Sequence, residues 1–243
     1  MHRQAVLGGM VIVVLLVALR PTSGAAQDQT PAPTAGGSAV AAPGASDALS
    51  GVRSLAGKVL GAGTYPGYAV EVPEGWSTDD GRFIIKQGPF VMGVSVWDVG
   101  QVPRDPCQWS STLVDPGPSV HDLVAALVAQ AQRDASEPTD VLLAGYPGRY
   151  LEWSVPDDAV VTGDADFEGC DIQEGHADFV SWFGDGYGER WQQVAGQVDR
   201  LWVLDVDGQR LVVDATYSPD ATDVDRDELE RVVASLRFES PED

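Results

Sequence analysis

The stretch Leu201 to Tyr217, LWVLDVDGQRLVVDATY, decides how this chain folds. Asp207 and Gly208 stand between two apolar runs, and a two-residue type I′ turn needs a residue tolerant of positive φ at each of its central positions. The turn sets the register: Val206 opposes Gln209, Asp205 opposes Arg210, Leu204 opposes Leu211, and Trp202 opposes Val213. Trp202, Leu204, Leu211 and Val213 then share one face, while Leu201, Val203 and Val212 occupy the other. Asp205 and Arg210 are expected to pair across the strands near the tip. A sheet that is apolar on both faces has to be covered on both.

Two helices are available as covers. From Ser119 to Arg133 the apolar residues Val120, Leu123, Val124, Leu127, Val128 and Ala131 follow a helical stripe, with Ser119 and Asp122 placed to cap its start. From Asp223 to Leu236 the stripe is Leu229, Val232, Val233 and Leu236, capped by Thr222 and Asp225. Strand-like runs occupy Tyr68 to Val72, Arg82 to Lys86, Val91 to Val99, Val141 to Ala144, Gly148 to Val155 and Ala177 to Trp182. Adjacent strands with few helices predict an α+β fold, a largely antiparallel twisted sheet covered by helices on both faces.

Outward from this centre, three regions are expected. Residues 1–26 read as a secretory signal peptide: Ala5 to Leu19 is apolar, Arg3 precedes it, and Ser23, Gly24, Ala25 and Ala26 supply small residues for cleavage. The apolar run would span roughly 22 Å as a helix, less than the roughly 30 Å of a bilayer core, which leaves an uncleaved anchor as the alternative. Residues 27–51, rich in Ala, Gly, Pro, Ser and Thr, read as a disordered linker. Residues 52–240 form one domain of sufficient length for a substantial core.

The chain carries 15 Lys and Arg against 37 Asp and Glu, a net charge of −22, and nearly all of it falls on the domain. Such a surface repels nucleic acid and anionic membranes, which are excluded as partners. Lys58 and Lys86 are the sole lysines, a bias that fits GC-rich codon usage.

Several segments carry a resemblance: YAVEVPEGW (Tyr68 to Trp76), SVHDLVAAL (Ser119 to Leu127), GYPGRYLEWSVP (Gly145 to Pro156), the hairpin quoted above and ELERVVASLRF (Glu228 to Phe238). Together they resemble a family of secreted actinobacterial proteins. More distantly the pattern is similar to the PsbP-like fold, an antiparallel sheet flanked by helices, through its strand followed by Pro-x-Gly-Trp and its final helix ending in Ser-Leu-Arg-Phe. That resemblance implies a layered sandwich and a binding or accessory role, as in extrinsic photosystem subunits and a Ran-binding nuclear-transport factor. It carries over no functional residue.

Catalytic signatures are absent: the sequence has no G-x-S-x-G elbow, H-E-x-x-H helix, Walker loop or strand-led G-x-G-x-x-G. His121, in the first turn of a helix, reads as a surface residue, and His176 adjoins an acidic stretch. Cys107 and Cys170 could be free thiols, metal ligands or a disulfide; export and even number favour the disulfide. In the acidic stretch Asp157 to Glu174, the residues Asp164, Asp166, Glu168 and Gly169 match the opening of a calcium loop, so Ca2+ is the one candidate cofactor. The twelfth position of that loop is Gly175 where a bidentate Glu belongs, and a merely solvated acidic loop is the alternative. Trp153 and Trp202 read as core; Trp76, Trp109, Trp182 and Trp191 lie near strand ends or loops, where exposed rings could stack on sugars.

The expectation is therefore a non-catalytic extracytoplasmic binding or accessory domain for a protein or cell-envelope ligand. The alternatives are a carboxylate hydrolase of the glycosidase kind, drawing a pair from Glu152, Asp157, Asp158 and Asp166, and a calcium-dependent adhesion or scaffold module.

Overall fold

The computed structural model of the chain describes residues 47–55, 67–78, 83–86, 88, 91–163 and 165–239. The expected signal segment and all but the last residues of the expected linker lie outside them. In chain order the first half contains β1 (Asp47–Leu55), β2 (Tyr68–Thr78), β3 (Ile84–Lys86), β4 (Met92–Trp97), β5 (Val99–Pro103), α1 (Trp109–Thr112), β6 (Leu113–Val114), α2 (Val120–Val128), β7 (Asp134–Ala135), β8 (Thr139–Leu143) and β9 (Tyr146–Ser154). The second half contains β10 (Val161–Thr162), β11 (Asp166–Phe167), β12 (Ile172–Gln173), β13 (His176–Ala177), β14 (Val180–Gly184), β15 (Tyr187–Trp191), β16 (Val198–Val206), β17 (Gln209–Tyr217), α3 (Asp223–Ala234) and β18 (Arg237–Phe238).

The hairpin β16–β17 has the register that its turn dictates, from Val206 opposite Gln209 to Trp202 opposite Val213 and beyond. Asp207 and Gly208 take φ of 53° and 85°. Asp205 uses its carboxylate to accept from the Gly208 N–H, and Arg210 reaches the carbonyls of Gly117 and Val99. The hairpin lies in the middle of an antiparallel sheet ordered β1-β2-β3-β4-β17-β16-β9-β7, with β18 added to β2 and β8 added to β9. A second sheet, β15-β14-β5-β6, branches off where the chain turns at Asp98 between β4 and β5.

The expected α+β sandwich with helices on both faces is overturned. Among the described residues there are three helices, of 4, 9 and 12 residues, and the fold is mostly β, a curled antiparallel sheet. One face carries Val94, Val96, Leu204, Leu211, Val213 and Ala215, and α3 covers it with Leu229, Val232 and Val233. Its capping box of Thr222 and Asp225 is as expected. The opposite face is shared between the short α2 and the second sheet, which brings Val99, Val102 and Trp182 against Leu201, Val203 and Val212.

Two local differences explain why a strand layer replaces a helix. α2 starts at its Ser119–Asp122 capping box but ends at Val128, five residues before the expected limit, and Val128 is exposed. Beyond it the buried Gln130 side chain donates to the carbonyls of Pro103 and Ser181, and Ala131 N–H donates to Arg104, so the chain is drawn off the helix path. In addition, this face of the hairpin holds Asp199 and Asp214, both buried. A stripe of Leu and Val has no donors for buried carboxylates, whereas the second sheet supplies them.

Candidate functional site

Strand alternation places Asp199, Leu201 and Val203 of β16 on the same face as Val212, Asp214 and Thr216 of β17, with Leu201 opposite Asp214. Asp199 and Asp214 are 0% and 1% exposed, which demands partners. Arg190 of β15 answers both: its Nε donates to Asp214 Oδ2 at 2.6 Å and its Nη2 to Asp199 Oδ1 at 3.0 Å. Arg133, from the segment after α2, approaches Asp199 Oδ2 at 3.8 Å with Nη1 and donates to Ser181 Oγ at 2.6 Å with Nη2. Its guanidinium lies 4.3 Å from the Trp153 ring centre and 4.8 Å from that of Phe179. Flat, weakly hydrated Arg suits such stacking better than Lys.

The two carboxylates are not served equally. Asp199 also accepts from Trp153 Nε1 and Gln192 Nε2, each at 2.9 Å, so both its oxygens are bound. Asp214 Oδ1 is buried and has no donor among the described residues. Burial pushes the Asp214 carboxyl up to about 6, against the pull of Arg190 and with Asp199 adding to the push. Burial likewise brings Arg133 down to about 10, a level at which it stays charged at neutral pH. Two guanidinium and two carboxylate groups leave the cluster formally neutral.

Asp214 and Arg190 also border a cleft of about 530 Å3 where β15 stands away from β3 and β4. The volume lies in the range of small-molecule sites, which are mainly apolar with a few polar groups. Its side-chain walls include Phe83, Ile85 and Trp191, while the side chains of Ile84, Met92 and Val94 point to the α3 side of the sheet. Gly93 permits the close passage of β3, since a Cβ there would stand 2.9 Å from the Ile84 carbonyl oxygen. Glu189 and Lys86 border the same opening, Lys86 being held by Asp225 at 2.9 Å and Glu228 at 3.1 Å.

Apart from Trp191, which borders the cleft, the residues singled out from sequence fall elsewhere. Cys107 and Cys170 are joined in a disulfide that backs the cluster of Val155, Phe167 and Phe179. Asp166 accepts from Ala177 N–H at 3.0 Å and lies 3.4 Å from His176 Nδ1, while Glu168 is exposed and Asp164 lies outside the described residues. Among the described residues no three of His, Cys, Asp and Glu converge as a metal site. Of the carboxylates considered for hydrolysis, Glu152 pairs with Arg200 at 3.0 Å, Asp157 and Asp158 are exposed, and none of the four borders the cleft. Trp76 and Trp182 are fully buried rather than available to a sugar, whereas Trp191 is 40% exposed.

Arg133, Arg190, Asp199 and Asp214 were not anticipated from sequence. The signal was present for the two aspartates: each stands at the end of an inward-facing run, Asp199 before Leu201 and Val203 and Asp214 after Val212, in the hairpin whose register the turn had already set.

No family model matches this chain, and no curated protein matches it. Among solved structures it is similar to cyanobacterial PsbP from Synechocystis sp. PCC 6803, at 13% identity over 78% of this chain and 94% of that one, with a TM-score of 0.32. The likeness is remote and brings no residue or activity with it.

Proposed function

We propose that this chain is an extracytoplasmic binding module whose ligand site is the cleft between β15 and the β3–β4 pair, and that it catalyses nothing. The observation that carries the reading is the cleft itself, about 530 Å3 with mainly apolar walls over a buried ion-paired floor. Its location beyond the cytoplasm is supported by the Cys107–Cys170 disulfide, a bond that persists in oxidising compartments. Among the described residues no helix is long and apolar enough to cross a membrane.

The test is recovery of a bound molecule from the purified protein by native mass spectrometry and solvent extraction. Ile85→Trp, which places a large ring at the cleft wall, is expected to abolish recovery while leaving the fold unchanged. The protein is also expected to show no turnover on glycoside, ester, peptide and phosphate panels. Hydrolysis abolished by a single carboxylate-to-amide change would overturn the reading in favour of a carboxylate enzyme.

A further inference from the structure

We propose that the Cys107–Cys170 disulfide is a redox latch: a dithiol that reduces it undocks the β10–β13 segment and leaves the two larger sheets folded. Neither of the two main core clusters draws a residue from β10 to β13, and these four strands, each of two residues, pack chiefly on one another. Ribbons that short do not stand alone. Their apolar anchor is small: Phe167 is 2% exposed, and its ring centre lies 5.3 Å from that of Phe179, beside Val155.

The remaining ties gather at the disulfide. Asp171 N–H donates to the Cys107 carbonyl at 2.8 Å, and Asp171 Oδ2 accepts from the Ser110 N–H at 2.8 Å and from its hydroxyl at 2.7 Å. Asp171 thereby caps α1, whose own N-cap residue Gln108 makes no side-chain cap bond. Away from this point the segment keeps one side-chain bond to the second sheet among the described residues, from Gln173 Nε2 to Glu189 Oε1 at 2.9 Å. A region with so few buried contacts opens without the rest once its covalent tie is cut.

Cys107 and Cys170 are both partly exposed and border a surface concavity of about 720 Å3, next to Gln132, Pro156 and Glu168, which gives a thiol a path to the bond. One thiolate of the dithiol attacks a sulfur of the pair, and the other cysteine leaves as a thiolate and takes a proton. The second thiol of the reductant then displaces the first cysteine, so the reductant ends as a disulfide and the protein as two thiols, a two-electron exchange.

The test is hydrogen exchange read by mass spectrometry on the purified, folded protein, oxidised and after dithiothreitol without denaturant, with iodoacetamide counting the free thiols. Both cysteines are expected to alkylate in the folded protein. Exchange in residues 165–178 and 107–112 is expected to rise at least about ten-fold, with β16, β17 and α3 unchanged. The double substitution Cys107→Ser with Cys170→Ser is expected to reproduce that pattern without reductant, and reoxidation of the wild-type protein to reverse it. A bond reduced only when the sheets unfold, exchange that does not change on reduction, or exchange that rises equally in β16 and β17 each overturns the proposal. The reduction series decides the matter even where the double variant does not fold.

Discussion

On the α3 side of β16 and β17 the buried residues are Leu204, Val206, Leu211, Val213 and Ala215. On the other side the same two strands present Asp199 and Asp214 among Leu201, Val203 and Val212. The first side is closed by a single amphipathic helix, whose fit depends on shape and area alone. The second is closed by α2, the second sheet and the bent segment after α2, which bring Arg133, Arg190 and Gln192 to the two carboxylates, with Ser181 Oγ accepting from Arg133 and Gln192. Apolar burial tolerates small shifts, since it scales with area, whereas a buried charge does not. The comparison teaches that the covering of each face was selected by what the face buries.

The sharpest way to break that comparison is Asp199→Ala. It strands the Arg133 guanidinium and the Trp153 donor in a dry interior and leaves Arg190 with Asp214 alone, and the expected loss is about 3–5 kcal/mol, read from urea denaturation. A loss below about 1 kcal/mol would mean that water already serves the cluster and that the two faces differ little. On the opposite face, Leu229→Ala removes a side chain that is 1% exposed, and the expected loss is about 3 kcal/mol from transfer and cavity together. A deletion at Leu229 that cost more than the one at Asp199 would reverse the ranking of the faces.

The α3 face was readable in the sequence because each step followed a period: Asp207-Gly208 set the register, alternation set the faces, and Leu229, Val232 and Val233 recur at helical spacing. The disulfide was readable from a count of two cysteines in a chain expected to be exported. The polar face was not, since charged residues are read as solvated by default and its four members come from β16, β17, β15 and the segment after α2. No local pattern links Arg133 to Asp199; the link is made by Gln130, which ends the helix early by donating to two carbonyls. The same default drew attention to the acidic stretch around Asp166, where charge is dense in the sequence, and away from Asp214, where it is buried.

The faces also differ in their response to acid. The Asp214 carboxyl sits at about 6 in the folded protein against an ordinary 3.8, chiefly through burial. The folded state therefore holds its proton more tightly than the unfolded state, and stability rises as pH falls from about 7 toward about 4. At 1.36 kcal/mol per pH unit the gain reaches at most about 3 kcal/mol. Because other groups titrate in the same range, the readout is the difference between the wild-type protein and Asp214→Asn, measured by denaturation at a series of pH values. Parallel curves for the two proteins between pH 7 and 4 would show that Asp214 titrates as it does in the unfolded chain, and the argument for a strained carboxylate at the cleft floor would fail.

The smallest effect belongs to the cap of α3, and its sign is the reverse. Thr222 Oγ accepts from the Asp225 N–H at 3.3 Å and donates to Asp225 Oδ2 at 2.6 Å, while Lys86 Nζ donates to Asp225 Oδ1 at 2.9 Å. The Thr222 hydroxyl first, and Lys86 next, hold the Asp225 carboxyl down at about 2. Its contribution is thus present above the ordinary carboxylate range and is lost as pH falls toward 2. Thr222→Ala is expected to cost about 1 kcal/mol at neutral pH, the usual penalty for losing a hydroxyl cap. The cost should shrink on approaching about pH 2, where Asp225 protonates and has less to lose. An equal loss at both ends of that range would mean that the hydroxyl acts on the backbone N–H alone. A loss that shrinks with acid, set beside the gain at Asp214, would mean that one sheet carries an acid-sensitive apolar cover and an acid-strengthened polar floor on its two sides.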